Sequence, residues 1–443
     1  MDTFSGGDNM TIARGPLAGL TGAAVILCLC LCVPDAAWGQ IAGGADIGWL
    51  SQMEAQGYVF RDNAGVQRNC LDILKGKGMN ALRFRVWVNP AGGYCGKGDV
   101  AYMAHRADSA GFKVMLDFHC SDTWADPGHQ TKPAAWASDS FPQLQTDLYN
   151  HVYGVLDTLR SLGVRPAWVQ IGNETNDGML WEDGRASTHM SNFAALIQSG
   201  YNAVKAIDSS IQVIVHLSNG HDDALFRRIF DGLKSNGAHW DIIGMSVYPY
   251  WAGLPWATDD SLALITMQDM ITRYQTKVMV VETGYLYNQA ATAKQFLLDL
   301  IARTESAGGL GVFYWEPESY SWMGYNLGAW DPSSKQPTIA LDAFLSITGA
   351  DRPVTRFPGY SFAVYPNPFN PSTRIEYDIP ESSHVTITVY TVLGGVRATL
   401  LDGFEPAGHH AVVWTPGSAA SGVYFCRIVA GGYVRTERVV LAK

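Results

Sequence analysis

The sequence predicts an α/β protein, a closed (β/α)8 barrel followed by a small all-β sandwich. Three observations carry that expectation. Short apolar runs alternate with amphipathic helical stretches from Ile41 to about Ser346, which is the pattern of a parallel α/β protein. Polar residues gather at the carboxyl ends of those runs, where barrel enzymes keep their chemistry. After Thr348 the helical periodicity stops and strand alternation takes over. The 443 residues exceed one ordinary domain, leaving room for a barrel of about 250 to 300 residues and a smaller module.

The bulk composition excludes some classes of function. Apolar residues make up 47% and charged residues 16%, so a large core is within reach and wholesale disorder is not expected. The net charge of -10 and the absence of a basic run argue against a nucleic-acid partner. The 14 Trp and 20 Tyr could stack on sugars or fill cores, and composition alone does not decide between these.

The amino terminus reads as an export signal over residues 1–39. Arg14 precedes a small, apolar run from Pro16 to Val33, and Ala37-Trp38-Gly39 fits a small-x-small cleavage site before Gln40. Met10 is an alternative start, because the segment before it is acidic. A membrane anchor is the competing reading, although the run is short for a spanning helix. Cleavage would remove Cys28, Cys30 and Cys32 and leave Cys70, Cys95, Cys120 and Cys426. Export permits disulfides, and the spacing does not choose among pairings of the first three.

Eight strands are expected, near residues 43–47, 80–87, 112–119, 168–174, 212–216, 242–247, 277–282 and 311–315. A representative helix is expected over 100–110, with Asp99 as its cap, Val100, Met103, Ala104 and Ala107 on one face, and Gly111 closing it. An open doubly wound sheet is the alternative, but no Gly-rich dinucleotide fingerprint follows the first strand.

Two of these runs stop on a glutamate. Val169-Gln170-Ile171-Gly172 is followed by Asn173-Glu174, and Val278-Met279-Val280-Val281 by Glu282-Thr283-Gly284. A single strand-end Glu is commonly just the solvated first residue of a loop. Two on two strand tips suggest the acid and nucleophile of a glycosidase. Strand two offers Arg83, Arg85 and Trp87 at alternate positions, hence on one face, and a buried Arg there needs an anionic partner. Strand three carries Asp117 and His119 and leads into the loop Ser121-Asp122-Thr123-Trp124-Ala125-Asp126-Pro127. His216 and Asn219 follow strand five, Tyr248, Tyr250 and Trp251 follow strand six, and Trp315-Glu316 closes strand eight. A lone strand histidine such as His216 is more often a satisfied core residue than a base. A metal site from His119, Asp122, Asp126 and His216 lacks His-x-Glu or His-Glu-x-x-His spacing, and neither metal nor cofactor is expected.

These segments resemble glycoside hydrolase family 53, the arabinogalactan endo-β-1,4-galactanases. The resemblance rests on Arg83-Phe84-Arg85-Val86-Trp87-Val88-Asn89-Pro90, Asp117 to Gln130, Ile171-Gly172-Asn173-Glu174, Met179-Leu180-Trp181, His216-Leu217-Ser218-Asn219-Gly220, Ser246-Val247-Tyr248-Pro249-Tyr250, Val281-Glu282-Thr283 and Phe313-Tyr314-Trp315-Glu316-Pro317. It spans the whole barrel in order. It implies a retaining mechanism with Glu174 as acid/base and Glu282 as nucleophile. It further implies that Asn173 holds the sugar 2-hydroxyl, that Arg83 and Tyr248 contact Glu282, and that His119, His216 and Trp315 shape the cleft. Asp46, Asp122, Trp124, Asn219 and Trp181 are further candidates for substrate contact. Cys120 departs from the family, which often has an aromatic residue there. The loop 317–330 is short and lacks an acidic cluster, so no calcium site is expected.

Beyond the linker 349–362, Val385-Thr386-Ile387-Thr388-Val389-Tyr390 and Val423-Tyr424-Phe425-Cys426-Arg427-Ile428 alternate as strands of a sandwich over 363–443. Tyr365-Pro366-Asn367-Pro368-Phe369-Asn370-Pro371, Ser421-Gly422-Val423-Tyr424 and the basic Arg435, Arg438 and Lys443 resemble a type IX secretion sorting domain. A carbohydrate-binding or spacer sandwich is the alternative. The expected protein is thus a secreted, monomeric enzyme with barrel 40–348. Its partners would be β-1,4-galactan and the secretion machinery. A mannanase- or cellulase-type specificity and a non-catalytic surface carbohydrate-binding protein are the competing readings.

Overall fold

The computed structural model describes residues 41–348, 360–392, 395–431 and 433–442. The expected signal peptide with its cleavage site, residues 349–359 of the linker and Lys443 lie outside the described residues. Among the described residues no helix is long and apolar enough to cross a membrane.

Eight parallel strands close into a barrel: β1 (Ala42–Asp46), β2 (Ala81–Val86), β3 (Lys113–Phe118), β4 (Trp168–Ile171), β5 (Gln212–Leu217), β6 (Ile242–Val247), β7 (Lys277–Thr283) and β8 (Gly311–Trp315). Closure comes from β1, which pairs with β2 on one edge and β8 on the other. The doubly wound alternative is thereby excluded. Both faces of the strands are buried, which is why they read as near-continuous apolar runs.

The side chains pointing into the barrel separate into two layers. Ala42, Ala81, Met115, Trp168, Ile214, Ile242, Met279, Val281 and Phe313 form an apolar plug at the amino-terminal end. Gly44 is needed there, because a Cβ at this position would overlap the Phe313 ring. Above the plug, towards the carboxyl ends, the inward residues become Asp46, Arg83, Asp117, Gln170, His216 and Ser246, all buried. The plug supplies a rigid, dry floor and the layer above it carries the polar groups.

Outside the strands, amphipathic helices bury one face each. Asp223–Ser235 buries Leu225, Phe226, Ile229, Phe230 and Leu233 and is capped by the Asp222 carboxylate, which accepts the Leu225 N–H at 3.0 Å. Each such side chain stabilises the fold by about 1.5–3 kcal/mol when fully buried. The helix expected over 100–110 runs over Lys97–Ser109 instead, and Gly96 occupies the cap position. Asp99 lies within the first turn, where its carboxylate accepts the Cys95 N–H at 2.7 Å and the Ser51 hydroxyl at 3.1 Å. Cys70, Cys95, Cys120 and Cys426 are all buried free thiols.

The carboxyl-terminal module is antiparallel. β9 (Ser361–Tyr365), β10 (Thr373–Ile379) and β13 (Gly408–Trp414) form one sheet, and β11 (Ser383–Thr391), β12 (Val396–Glu405), β14 (Gly422–Ala430) and β15 (Tyr433–Leu441) the other. Ile375, Tyr377 and Ile379 of β10 and Val385, Ile387 and Val389 of β11 alternate into a shared core with Trp414, Cys426 and Ile428.

Candidate active site

A cavity of about 770 Å³ opens at the carboxyl ends of the strands. Glu174 and Glu282 both line it, with Asn173, His119, Trp124, Asn219, Tyr248 and Trp315. The strand expected to reach Glu174 stops at Ile171, because Gly172 turns the chain at a φ of 79°. Glu174 itself is left-handed, with φ 46°. Its backbone N–H points at Nδ1 of His216 at 3.3 Å.

Glu282 reaches the interior through an irregularity in β7. Strict alternation sends Met279 and Val281 inward and would send Glu282 outward. Met245 of β6 pairs with Val280, yet the next residue, Ser246, pairs with Glu282, so one residue is extra on β7. On the other edge Val312 pairs with Val280 and Tyr314 with Thr283, giving the same count. This β-bulge turns both Val281 and Glu282 towards the barrel interior.

Arg83 is the hub beneath the two glutamates. Its Nη1 donates to Asp46 at 2.6 Å and to Glu282 at 2.8 Å, and its Nη2 to Asp117 at 2.9 Å, Asn173 at 3.0 Å and Gln170 at 3.1 Å. Burial acts against the guanidinium charge, but Asp117, Glu282 and Asp46 outweigh it and raise the pKa. Removing one partner from such a buried cluster typically costs about 3–5 kcal/mol, because the other charges lose their compensation.

The surroundings of the two glutamates differ. Burial pushes Glu174 up to about 7; the Ser246 hydroxyl, donating at 2.7 Å, opposes the shift, and the charge of Asp126 adds to it. Glu282 is also pushed up by burial, against the Arg83 ion pair, with Glu174, Asp117 and Asp46 adding to the push. Tyr248 donates its hydroxyl to Glu282 at 3.4 Å. Of the two carboxyls, Glu282 has the direct cationic partner and Glu174 a neutral donor.

Several expected residues sit away from the cavity wall. His216 is fully buried beneath it, and its pKa is held well below the usual range, first by burial and then by Arg83. With Nδ1 facing the Glu174 N–H, its Nε2 donates to Ser246 at 2.8 Å, extending a chain from the imidazole through the serine to Glu174. Asp122 braces a loop by accepting the N–H groups of Asn89 and Ala134, each at 2.9 Å. Trp181 packs under the Arg185 guanidinium at 3.9 Å and donates its indole N–H to Asp177. Asp46 and Arg83 lie behind Glu282 and do not line the cavity. Both ring nitrogens of His119, which lines the cavity, are engaged, Nε2 with Asp117 at 2.9 Å and Nδ1 with the Ala125 N–H at 3.0 Å.

Four important residues were not among the expected set. Ser246 opens the segment Ser246-Val247-Tyr248-Pro249-Tyr250, but the role of its hydroxyl becomes visible only through its contact with Glu174. Gln170, a polar residue inside an apolar run, bridges Arg83 and Asn173. Trp49 and Tyr325 complete an aromatic wall, with ring centroids 4.9 Å and 4.8 Å respectively from Trp315. The buried Glu316 accepts the Trp49 N–H at 3.2 Å and pairs with Arg85, fixing that wall from behind. No group of three or more His, Cys, Asp or Glu suited to a metal ion occurs among the described residues.

Known proteins are similar to both parts of the chain. Residues 363–442 match the secretion system C-terminal sorting domain. The chain is 34% identical over 301 residues to "Probable arabinogalactan endo-beta-1,4-galactanase A" of Neosartorya fischeri, covering 62% of this chain and 83% of that protein. It is 33% identical over 307 residues to the endo-beta-1,4-galactanase of Bacillus subtilis, covering 62% of this chain and 69% of that protein. Among solved structures, the Ignisphaera aggregans GH53 catalytic domain superposes with a TM-score of 0.64 at 31% identity, covering 71% of this chain and 98% of that one. Residues 42–344 match glycosyl hydrolase family 53, more than half of the sequence, and the chain belongs to that family.

Proposed function

We propose that the protein is a secreted, retaining endo-β-1,4-galactanase that cleaves internal bonds of (arabino)galactan. The observation that carries this reading is a pair of carboxyls in unlike surroundings on one cavity, Glu174 pushed up to about 7 and Glu282 ion-paired with Arg83. The substrate follows from the similar galactanases, and export from the sorting domain.

In the first step Glu282 attacks the anomeric carbon as Glu174 gives its proton to the departing oxygen. The glycosidic bond breaks and a glycosyl ester forms. In the second, the Glu174 carboxylate takes a proton from water, the water oxygen joins the anomeric carbon, and Glu282 leaves. Direct attack needs carboxyls about 5–5.5 Å apart. Glu174 and Glu282 line the same cavity, as two groups acting on one bond must. Asn173, tied to Arg83, Gln170 and the Ala125 carbonyl, is set to meet the sugar 2-hydroxyl. Trp315, braced by Trp49 and Tyr325, offers a sugar platform.

Incubating the protein with galactan, mannan and cellulose tests this reading. Galactooligosaccharides are expected, with the β-anomer first by NMR; Glu282→Gln should abolish their release, and Glu174→Gln should slow it roughly 10²–10⁴-fold. Cleavage confined to mannan or cellulose would overturn the specificity, and binding without hydrolysis would favour a non-catalytic carbohydrate-binding protein.

A further inference from the structure

The cavity contains an imidazole–carboxylate pair that the scheme above leaves unused. His221, in the loop after β5, lines the cavity, and its Nδ1 lies 2.9 Å from Oδ1 of Asp259. Asp259 belongs to the first turn of the helix Trp256–Tyr274 and is fully buried. Its Oδ2 has no hydrogen-bond partner, so among the described residues the carboxylate bonds only to His221.

A buried carboxylate is costly, and one aimed at a single imidazole is best explained by the orientation it imposes. With Asp259 on Nδ1, that nitrogen carries a proton, and in the neutral imidazole Nε2 then keeps its lone pair. Nε2 makes no hydrogen bond among the described residues, and the side chain keeps 24% of its surface. An oriented acceptor is thus available to whatever occupies the cavity.

Its place in the cavity indicates which part of the substrate it meets. Trp49, Trp124, Trp315 and Tyr325 are joined by ring contacts through Trp49 and Trp315 and make one wall. His221 instead belongs with Ser218, Asn219 and Trp251, which follow β5 and β6 beside Glu174. The link between these groups is direct, since Ser246 of β6 holds Glu174 and Ser218 bonds Asn176, two residues beyond it. On the reading of Glu174 as proton donor, the sugar that departs lies on this side.

We propose that His221, oriented by Asp259, accepts a hydrogen bond from a hydroxyl of the departing sugar, and so favours a sugar leaving group over other alcohols. The inference rests on the galactanase reading. It is tested on the full chain with two substrates, galactotetraose and an aryl β-galactobioside whose leaving group carries no sugar hydroxyl. His221→Ala should lower kcat/KM for galactotetraose roughly 5- to 10-fold more than for the aryl substrate, chiefly through KM. His221→Gln, whose amide oxygen can still accept, should recover part of that preference. Asp259→Ala should move the ratio in the same direction as His221→Ala. Because the readout is a ratio on one preparation, a variant that folds poorly lowers both rates and leaves the ratio unmoved. Equal losses on the two substrates in His221→Ala, or no loss on either, would overturn the proposal. Wild-type protein that cleaves neither substrate would overturn the galactanase reading instead.

Discussion

Ser246 is a single hydroxyl with a large effect on the proposed acid. It accepts from the neutral His216 and donates to Glu174, and that donated bond stabilises the carboxylate form. Removing it takes away a cause that lowers the Glu174 pKa, so the carboxyl should hold its proton to higher pH. Glu174 must be protonated when the first bond breaks, and activity therefore falls as pH rises through its pKa. Ser246→Ala should move the alkaline limb of the kcat/KM profile to higher pH while the enzyme stays active. A limb that stays in place or moves to lower pH would disprove this link. The part the hydroxyl plays was not legible in the sequence, where Ser246 opens the Ser-Val-Tyr-Pro-Tyr segment without showing what its side chain touches. Arg83 was legible, because three large polar or aromatic residues at alternate strand positions demand a polar interior. Asp122 and Trp181 do not line the cavity, a placement the sequence hides, since polar and aromatic loop residues look alike whether they face a cavity or brace a loop.

The β7 bulge shows where periodicity reaches its limit. Val278 to Thr283 reads as a smooth apolar strand, and nothing in its composition marks an inserted residue, yet only the insertion lets Val281 fill the plug while Glu282 faces the cavity. The barrel class and all eight strands were legible because each strand is a buried parallel run bounded by turn residues. The bulge was hidden because it depends on register with β6 and β8. Deleting Val281 should restore plain alternation, in which Glu282 follows the outward Val280 and still faces inward opposite Ser246, while the plug loses the Val281 side chain. The expected outcome is retained galactan hydrolysis with a lower Tm, from the void left in the plug. A deletion variant as stable as the parent would show that Val281 does not fill the plug. The early end of β4 follows the same logic, because Gly172 at positive φ frees Asn173 and Glu174 from strand alternation.

Among the described residues the buried apolar side chains form three clusters, one around the barrel, the plug inside it and one between the sandwich sheets, and the sandwich cluster shares no residue with the other two. The barrel is sealed by its own final segment. Ile339–Thr348 forms a 3-10 stretch whose Phe344 and Ile347 pack over Gly43 of β1, where a Cβ would collide with both. Everything that shapes the cavity lies before this seal. A chain ending at residue 348 should therefore keep its kcat/KM on galactan within about twofold, whereas one ending at residue 337 loses the seal and should aggregate or unfold. Two or more buried side chains at about 1.5–3 kcal/mol each are a large fraction of the 5–15 kcal/mol that holds a typical domain together. The sorting domain would then matter for delivery alone. In a host with the matching secretion machinery, the 348-residue form should stay cell-associated and active in lysates, while the full chain appears in the medium or on the cell surface. Measuring galactan hydrolysis in each fraction decides it: a truncated form that is exported normally assigns delivery elsewhere, and one that is inactive in lysates shows that the sandwich supports the barrel.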